Sequence, residues 1–296
     1  MTNEPITPLP LSIDLDQRKV ALGQQLFNDA HLSRDDTISC ATCHSFTKGG
    51  TDHLSHSVGI ADQTGSINAP TVFNSGFNFK QFWNGRAQTL EEQVDGPTHN
   101  PLEMGSSWKQ IVEKLDQSTT YVKDFNAIYP DGVQSANVRD AIATFERSLI
   151  TPNSRFDRYL RGESNALTGA EREGYRLFKE YGCASCHQGI NVGGNLFEKF
   201  GVMGDYFAKR GHVTETDLGR FNVTNNEADK YVFKVPSLRN VALTAPYFHD
   251  GSAERLEDAV TIMSIYQLGR PLTAGETASI VQFLKTLSGE YKGKAL

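Results

Sequence analysis

No stretch of this sequence approaches the roughly 18 consecutive apolar residues of a membrane-spanning helix, so no segment reads as a membrane anchor. Basic residues form no block: 29 Lys and Arg face 35 Asp and Glu, for a formal charge of −6. That excludes the basic stripe on which nucleic-acid binding rests and leaves a surface suited to a partner with a basic face. The start, Met1 to Pro10 (MTNEPITPLP), carries Glu4 and three prolines and has no apolar centre, so it is not a signal peptide. Cysteine is scarce, with only four. A chain of 296 residues buries roughly three quarters of its unfolded surface, so these four are not needed as structural staples. With 22% charged and 38% hydrophobic residues, including 17 Phe and 10 Tyr, the composition is globular rather than disordered. The length allows one large domain or two of ordinary size.

The few cysteines carry the most information. Cys40 and Cys43 are followed at once by His44 (CATCH), and Cys183 and Cys186 by His187 (CASCH). C-x-x-C-H is the attachment signature of c-type haem. Positions i, i+3 and i+4 share one face of a helical turn. Two thiols can therefore form thioethers to the two vinyl groups while the imidazole reaches the iron from the same side. A four-cysteine zinc site would join two widely separated pairs and would not need a histidine after each. A thioredoxin-like pair would not occur twice, each time with His. Two covalent haem c groups follow. Haem c is attached outside the bacterial cytoplasm, so the mature protein is expected in the periplasm, with its leader peptide absent from this numbering.

The two motifs belong to a divergent internal repeat. Gly23-x-x-Leu26-Phe27 precedes the first and Gly174-x-x-Leu177-Phe178 the second, each expected on an amphipathic helix. Each half also closes with a helical pattern, Val138 to Leu149 and Glu276 to Leu287. Thr168-x-x-Glu171 and Thr273-x-x-Glu276 match a capping box. Strand signals are few, and Gly189 to Tyr231 reads as long loops. The expected fold is mostly α, with two cytochrome c-like domains. The first spans residues 1–164 and the second 165–296, joined through the polar seam Thr151 to Ala166.

Six strings occur in a fixed order: NAPTVFN (Asn68 to Asn74), QFWNGRA (Gln81 to Ala87), LEEQ-x-x-GP ending at Pro97, TPNSRFDRYLRG (Thr151 to Gly162), VPSLRN (Val235 to Asn240) and TAPYFHDG (Thr244 to Gly251). On these the sequence resembles the bacterial di-haem cytochrome c peroxidases over almost its whole length. The resemblance implies a peroxidatic N-terminal haem on His44 and an electron-transfer C-terminal haem on His187 and Met263, a ligand pair that raises the potential. Taken alone, Met263 would be a core residue in the stripe Leu256, Ala259, Val260, Met263. The resemblance also places His249 at a haem propionate and Trp83 between the haems. It assigns an interdomain calcium to Asn68, Thr244 and Pro246, with oxygen ligands as calcium needs. Glu103 matches the distal acid/base, a role that suits a carboxyl whose pKa is raised by burial; Gln93, Pro97 and Phe82 would shape the same pocket. The implied partners are hydrogen peroxide and a small cytochrome c or cupredoxin donor, and a homodimer is the family's frequent state.

One position departs from the pattern. Where well-studied members place a histidine on the oxidised peroxidatic iron, this chain has Ile60, which cannot ligate. Either that iron is open without prior reduction, or His53 or His56 of the same loop substitutes. Two further functions compete with peroxide reduction. One is a di-haem oxidase that modifies a protein substrate, in which a tyrosine takes the place of Met263; Tyr266 lies close by. The other is a non-catalytic di-haem electron carrier. The open-site reading predicts a high-spin signal from the N-terminal haem in the EPR spectrum of the all-ferric protein; low-spin signals alone would overturn it.

Overall fold

The computed structural model describes residues 4–296; Met1 to Asn3, the beginning of the segment Met1 to Pro10, lie outside the described residues. The first half contains α1 (Gln17–Phe27), α2 (Cys40–Cys43), α3 (Leu90–His99), α4 (Trp108–Asp116), α5 (Thr119–Asn126) and α6 (Ser135–Ser148). The remainder contains α7 (Arg155–Leu160), α8 (Gly169–Glu180), α9 (Tyr206–Arg210), α10 (Phe221–Thr224), α11 (Leu256–Tyr266) and α12 (Ala274–Lys285). Four short strands complete it: β1 (Phe197–Lys199), β2 (Val232–Lys234), β3 (Glu290–Tyr291) and β4 (Lys294–Ala295). Strand β1 pairs antiparallel with β2, and β3 with β4. The stretch from Gly189 to Tyr231 is therefore not loop throughout: it holds β1, α9 and α10. Among the described residues no helix is long and apolar enough to cross a membrane.

Both expected capping boxes form. The hydroxyls of Thr168 and Thr273 accept from the main-chain N–H of Glu171 and Glu276, whose carboxylates accept in return from the threonine N–H groups. Two orphan donors are satisfied at the start of each helix. Glu171 also receives both terminal nitrogens of Arg155, each at 2.6 Å, which ties α7 to α8.

Helix α1 crosses α6, and α8 crosses α12, in the same way. The repeated glycine explains how closely. A Cβ on Gly23 would stand 1.9 Å from the Ala141 carbonyl oxygen, and one on Gly174 would stand 1.9 Å from that of Ser279. Phe145 and Phe283 flank the two contacts at corresponding positions. Only a residue without a side chain allows the two backbones to touch.

Each crossing seeds an apolar core. Leu22, Leu26, Phe27, Phe73, Phe125 and Phe145 build the first; Phe156, Tyr175, Phe178, Ile280 and Phe283 build the second. The chain ends exchange sides: Ile6 packs in the second core, while Tyr291 and Leu296 pack against the first. Phe156 belongs to the second core although it precedes residue 164.

The stretch Thr151 to Ala166 is polar for two reasons: Arg161 to Asn165 are exposed, whereas several earlier residues are enclosed. Thr151, Ser154, Phe156 and Asp157 are buried, and Asp157 meets Arg239 at 2.7 Å with both side chains fully enclosed. Arg239 also donates to the carbonyls of Ile190 and Thr7, each at 3.0 Å. The first part of the seam is thus an internal strut and only its later part is solvated, a distinction composition cannot make because paired buried charges read like surface ones.

Substituting alanine for Gly23 or Gly174 should lower stability by about 1–3 kcal/mol through overpacking, read as a lower denaturant midpoint. Alanine at the open position Gly169 serves as the control and should be near neutral.

Candidate functional site

Each C-x-x-C-H segment closes into one turn. The His44 N–H donates to the Cys40 carbonyl at 3.0 Å and that of His187 to the Cys183 carbonyl at 2.9 Å, which places both thiols and the imidazole on one side. The rings are oriented alike. Nδ1 of His44 lies 3.2 Å from the Gly50 carbonyl oxygen and Nδ1 of His187 lies 3.3 Å from that of Val192. A carbonyl can only accept, so Nδ1 carries the proton and Nε2 keeps its lone pair, the arrangement of a metal-ligating histidine. Burial pushes both imidazoles down, His187 to about 4, so they stay neutral.

The cysteines are unpaired. Burial pushes Cys40 up to about 12 and Cys43 and Cys183 up to about 11. These are not the low-pKa thiolates of a redox pair. Cys40 packs on the first core and Cys183 on the second, which also separates the pairs too far for one shared metal.

Cys183, Cys186 and His187 open into an apolar cavity whose wall includes Met263 on α11 and Leu284 on α12. Leu256, Ala259 and Val260 of the α11 stripe line it as well. The donor set of two thiols, a neutral imidazole and a thioether within apolar walls fits a c-type haem. Trp83, Phe82, Asn68, Thr244, Pro246 and His249 line the same cavity from the junction of the halves. Lys234 lies buried in this wall, its amine pushed down to about 8 by burial.

Glu103 sits apart from that cavity, close enough to Cys43 to act on it electrostatically. Its loop is held by hydrogen bonds from its own N–H to the Asn100 carbonyl, 3.0 Å, and from the Ile60 N–H to the Glu103 carbonyl, 2.8 Å. Asn100 Nδ2 donates to Glu103 Oε1 at 2.7 Å. Burial raises the carboxyl pKa, and Asn100 and the Arg86 charge oppose it without cancelling it. Arg86 in turn lies 3.3 Å over the Phe82 ring. Gln93 and Pro97 are half-buried on α3. Trp83 is thus on the junction side, not beside Glu103.

Ile60 is fully buried against Gly105 and hydrogen-bonded to the Glu103 loop. His53 is exposed, its Nε2 2.9 Å from the Leu243 carbonyl oxygen across the junction. His56 Nδ1 lies 3.3 Å from the Ser55 hydroxyl.

At the junction the rings of Trp83 and His249 meet edge to face, 6.4 Å between centroids. The Asn68 N–H donates to the His249 carbonyl at 2.7 Å, and the Lys234 N–H to the Trp83 carbonyl at 2.8 Å. These are the same bond made twice: NAPTVFN through QFWNGRA repeats, at one constant spacing, as KVPSLRN through YFHDGSA. Trp83 and His249 are counterparts, as are Asn68 and Lys234. Trp83 Nε1 also donates to the Asn68 carbonyl at 2.9 Å. The alignment extends into α3 and α11, which begin at Leu90 and Leu256, so Pro97 is the counterpart of Met263.

Sequence reading missed what supports His249. Its Nε2 lies 2.7 Å from Asp217 Oδ1, both buried, and Arg210 binds Asp217 and Asp250, each at 2.5 Å. Burial works against ionisation of Asp217, but Arg210, the Thr214 N–H and His249 outweigh it and hold the carboxyl well below the usual range. Asp217 lies in a stretch that looks like solvated loop. The charge pattern R-x-x-x-x-x-x-D gives no sign that the pair is buried.

Two histidine-bearing C-x-x-C turns, each under its own helix crossing and joined through a duplicated contact, define a two-centre protein of the c-type cytochrome class. Comparison with known proteins agrees. A family model described as di-haem cytochrome c peroxidase matches residues 17–165. The chain is 50% identical over 290 residues to cytochrome c peroxidase Ccp of Escherichia coli (strain K12), covering 98% of this chain and 62% of that protein. It is 47% identical over 290 residues to cytochrome c551 peroxidase of Nitrosomonas europaea, covering 97% and 85%. A crystal structure of a MauG-like protein associated with microbial copper homeostasis matches with a TM-score of 0.83 at 31% identity, covering 98% of this chain and 95% of that one. The chain therefore spans less than two thirds of the Escherichia coli protein and most of the Nitrosomonas one. It belongs to the di-haem cytochrome c peroxidase family, and this membership implies two haem c groups.

Replacing Asp217 with Asn should cost about 3–5 kcal/mol, because a buried charge loses its partner, measured by urea unfolding near neutral pH. A depressed folded-state pKa gives stability that is present above the ordinary carboxylate range and is lost as pH falls through the folded value. The gap between wild type and Asp217→Asn should therefore narrow as the pH is lowered below that range.

Proposed function

We propose that this chain reduces hydrogen peroxide to water at the N-terminal centre, with electrons delivered through the C-terminal one by a small cytochrome c or cupredoxin. Residues 1–164 and 165–296 would form the two haem domains. Cys40, Cys43 and His44 would hold the first haem; Cys183, Cys186, His187 and Met263 the second. The bound haem supplies the iron redox chemistry that cleaves the O–O bond. The observation that carries the reading is the asymmetry of the repeat. Where the second half offers the Met263 sulfur, the first offers Pro97, whose side chain has no donor atom, and beside the first motif stands Glu103.

The protein's own contribution is to move protons. Asn100 occupies Oε1 of Glu103, leaving Oε2 to accept a proton from bound peroxide and return it to the departing oxygen. Burial raises the proton affinity of that carboxyl, which suits a group that must both take and return a proton. Gln93, Phe82 and Pro97 would close the pocket around it, and Ile60 fixes the loop without offering iron a ligand. Trp83 and His249, in ring contact, would bridge the halves, and Asp217 fixes His249 so that it can face a propionate. Asn68, Thr244 and Pro246 would supply neutral oxygens to a calcium ion at the junction.

Met263 rather than Tyr266 lines the second cavity, while Tyr266 packs against the Tyr206 ring, 5.3 Å between centroids. This favours electron entry over the oxidase that modifies a protein substrate. A periplasmic location follows from the chemistry of haem c attachment, and a homodimer is the expected assembly.

The Glu103→Gln variant should keep both haems and lose about 10²–10⁴-fold in peroxide turnover, measured in steady state with a reduced small cytochrome c. Unchanged turnover would instead support the electron-carrier reading.

A further inference from the structure

The correspondence between α6 and α12 breaks at one buried position. Gly23 meets Ala141 and Phe145 as Gly174 meets Ser279 and Phe283, which sets the two helices in register. In that register Glu146 falls where the other half has Leu284. Leu284 is buried and lines the cavity of Cys183, Cys186 and His187. Glu146 is only 6% exposed and close enough to Cys40 to act on it electrostatically. Its Oε2 is enclosed without a hydrogen-bond partner among the described residues.

The fold itself accepts leucine here, so packing does not require a carboxyl. An unpartnered buried polar group costs about 1–3 kcal/mol, and at this pair of matched positions only the first half bears it. The surrounding charges do not neutralise it. Arg147, next along α6, is turned to Glu91 of α3 at 2.7 Å. Helix α1 buries Leu22, Gly23, Leu26 and Phe27, while its Lys19 is paired with Asp140 at 2.6 Å. Helix α4 buries Ile111 and Leu115, and Arg139 of α6 is held by Asp95 of α3 at 3.2 Å. Cys40 is a further titratable neighbour, and haem attachment would convert its thiol to a thioether. Burial pushes the Glu146 carboxyl up to about 8; the positive charge of an oxidised centre nearby would favour the carboxylate, and its loss on reduction the protonated form.

We propose that Glu146 is a redox-linked proton site of the first centre. Its carboxylate takes one proton from solvent when that centre accepts one electron from the donor protein, and releases the proton on reoxidation. The proposal rests on the reading that Cys40, Cys43 and His44 hold a haem. Proton uptake keeps the charge of this enclosed region constant, which in a low-dielectric interior is the cheaper way to add an electron. The second centre has Leu284 in the same place, and its own buried ionisable group, Lys234, lies elsewhere in the cavity wall.

Spectroelectrochemical titration of the holoprotein between about pH 6 and about pH 9 tests it. The midpoint of the first haem should fall as pH rises, approaching a tenfold change in the redox equilibrium per pH unit, about 59 mV for one electron. In Glu146→Gln, and in Glu146→Leu, which copies the other half, the dependence should vanish. The second haem should titrate alike in all three proteins. Infrared difference spectra should show a carboxylic C=O band that appears on reduction in the wild type and is missing in Glu146→Gln. An unaltered slope in both variants, or a pH-independent first haem in a wild type carrying both haems, overturns the proposal. A holoprotein lacking the first haem overturns the haem reading and the proposal with it.

Discussion

Two main-chain hydrogen bonds, from Asn68 to His249 and from Lys234 to Trp83, hold the molecule together at its centre. Each half donates from one arm of its repeat and accepts on the other, so neither half completes the contact alone. A second paired contact lies behind them. Asn74 and Asn240 share the same left-handed backbone conformation, which asparagine tolerates better than most residues. Both donate to the hydroxyl of Thr151, at 2.8 and 3.0 Å. With Thr151 fully buried, a small rotation of one half against the other would break several enclosed hydrogen bonds at once. The separation of the two cysteine–histidine turns is fixed by this junction and not by the helices around them.

On that shared frame the two centres differ through few side chains. Met263 against Pro97 separates a site with a sulfur donor from one without. Leu284 against Glu146 places an apolar side chain at one position and an ionisable one at its counterpart. His249 against Trp83 places an imidazole hydrogen-bonded to Asp217 on one side and an indole on the other. A duplicated scaffold tolerates such changes because its helix crossings, set by Gly23 and Gly174, do not involve these positions.

The buried charges show where stability was spent on position. Asp157 with Arg239, and Asp217 with Arg210 and His249, would be replaceable by apolar residues at little net loss of stability. Arg239 instead gathers the carbonyls of Ile190 and Thr7 as well as Asp157, and so pins the N-terminal segment to the loop after His187. Asp217 fixes the tautomer and orientation of His249. In both places an apolar contact would pack as well but would not point a ring or a loop in one direction.

Much of this was legible in the chain. Cysteine–histidine spacing, the glycine before each motif, the capping boxes and the closing helices are local patterns, and local patterns survive in sequence because a helix reads only its own neighbours. The resemblance carried Glu103, Met263 and Trp83. The sequence could not disclose Asn100 and Arg86 acting on Glu103, Asp217 beneath His249, the burial of Thr151 to Asp157, or the isolation of Glu146. Each depends on which groups the fold encloses together, and a charged residue reads the same in sequence whether water or protein surrounds it. The chemistry available to this protein was written in residue types and spacings. Which of those residues face one another, and with what proton affinity, was decided only when burial removed the solvent between them.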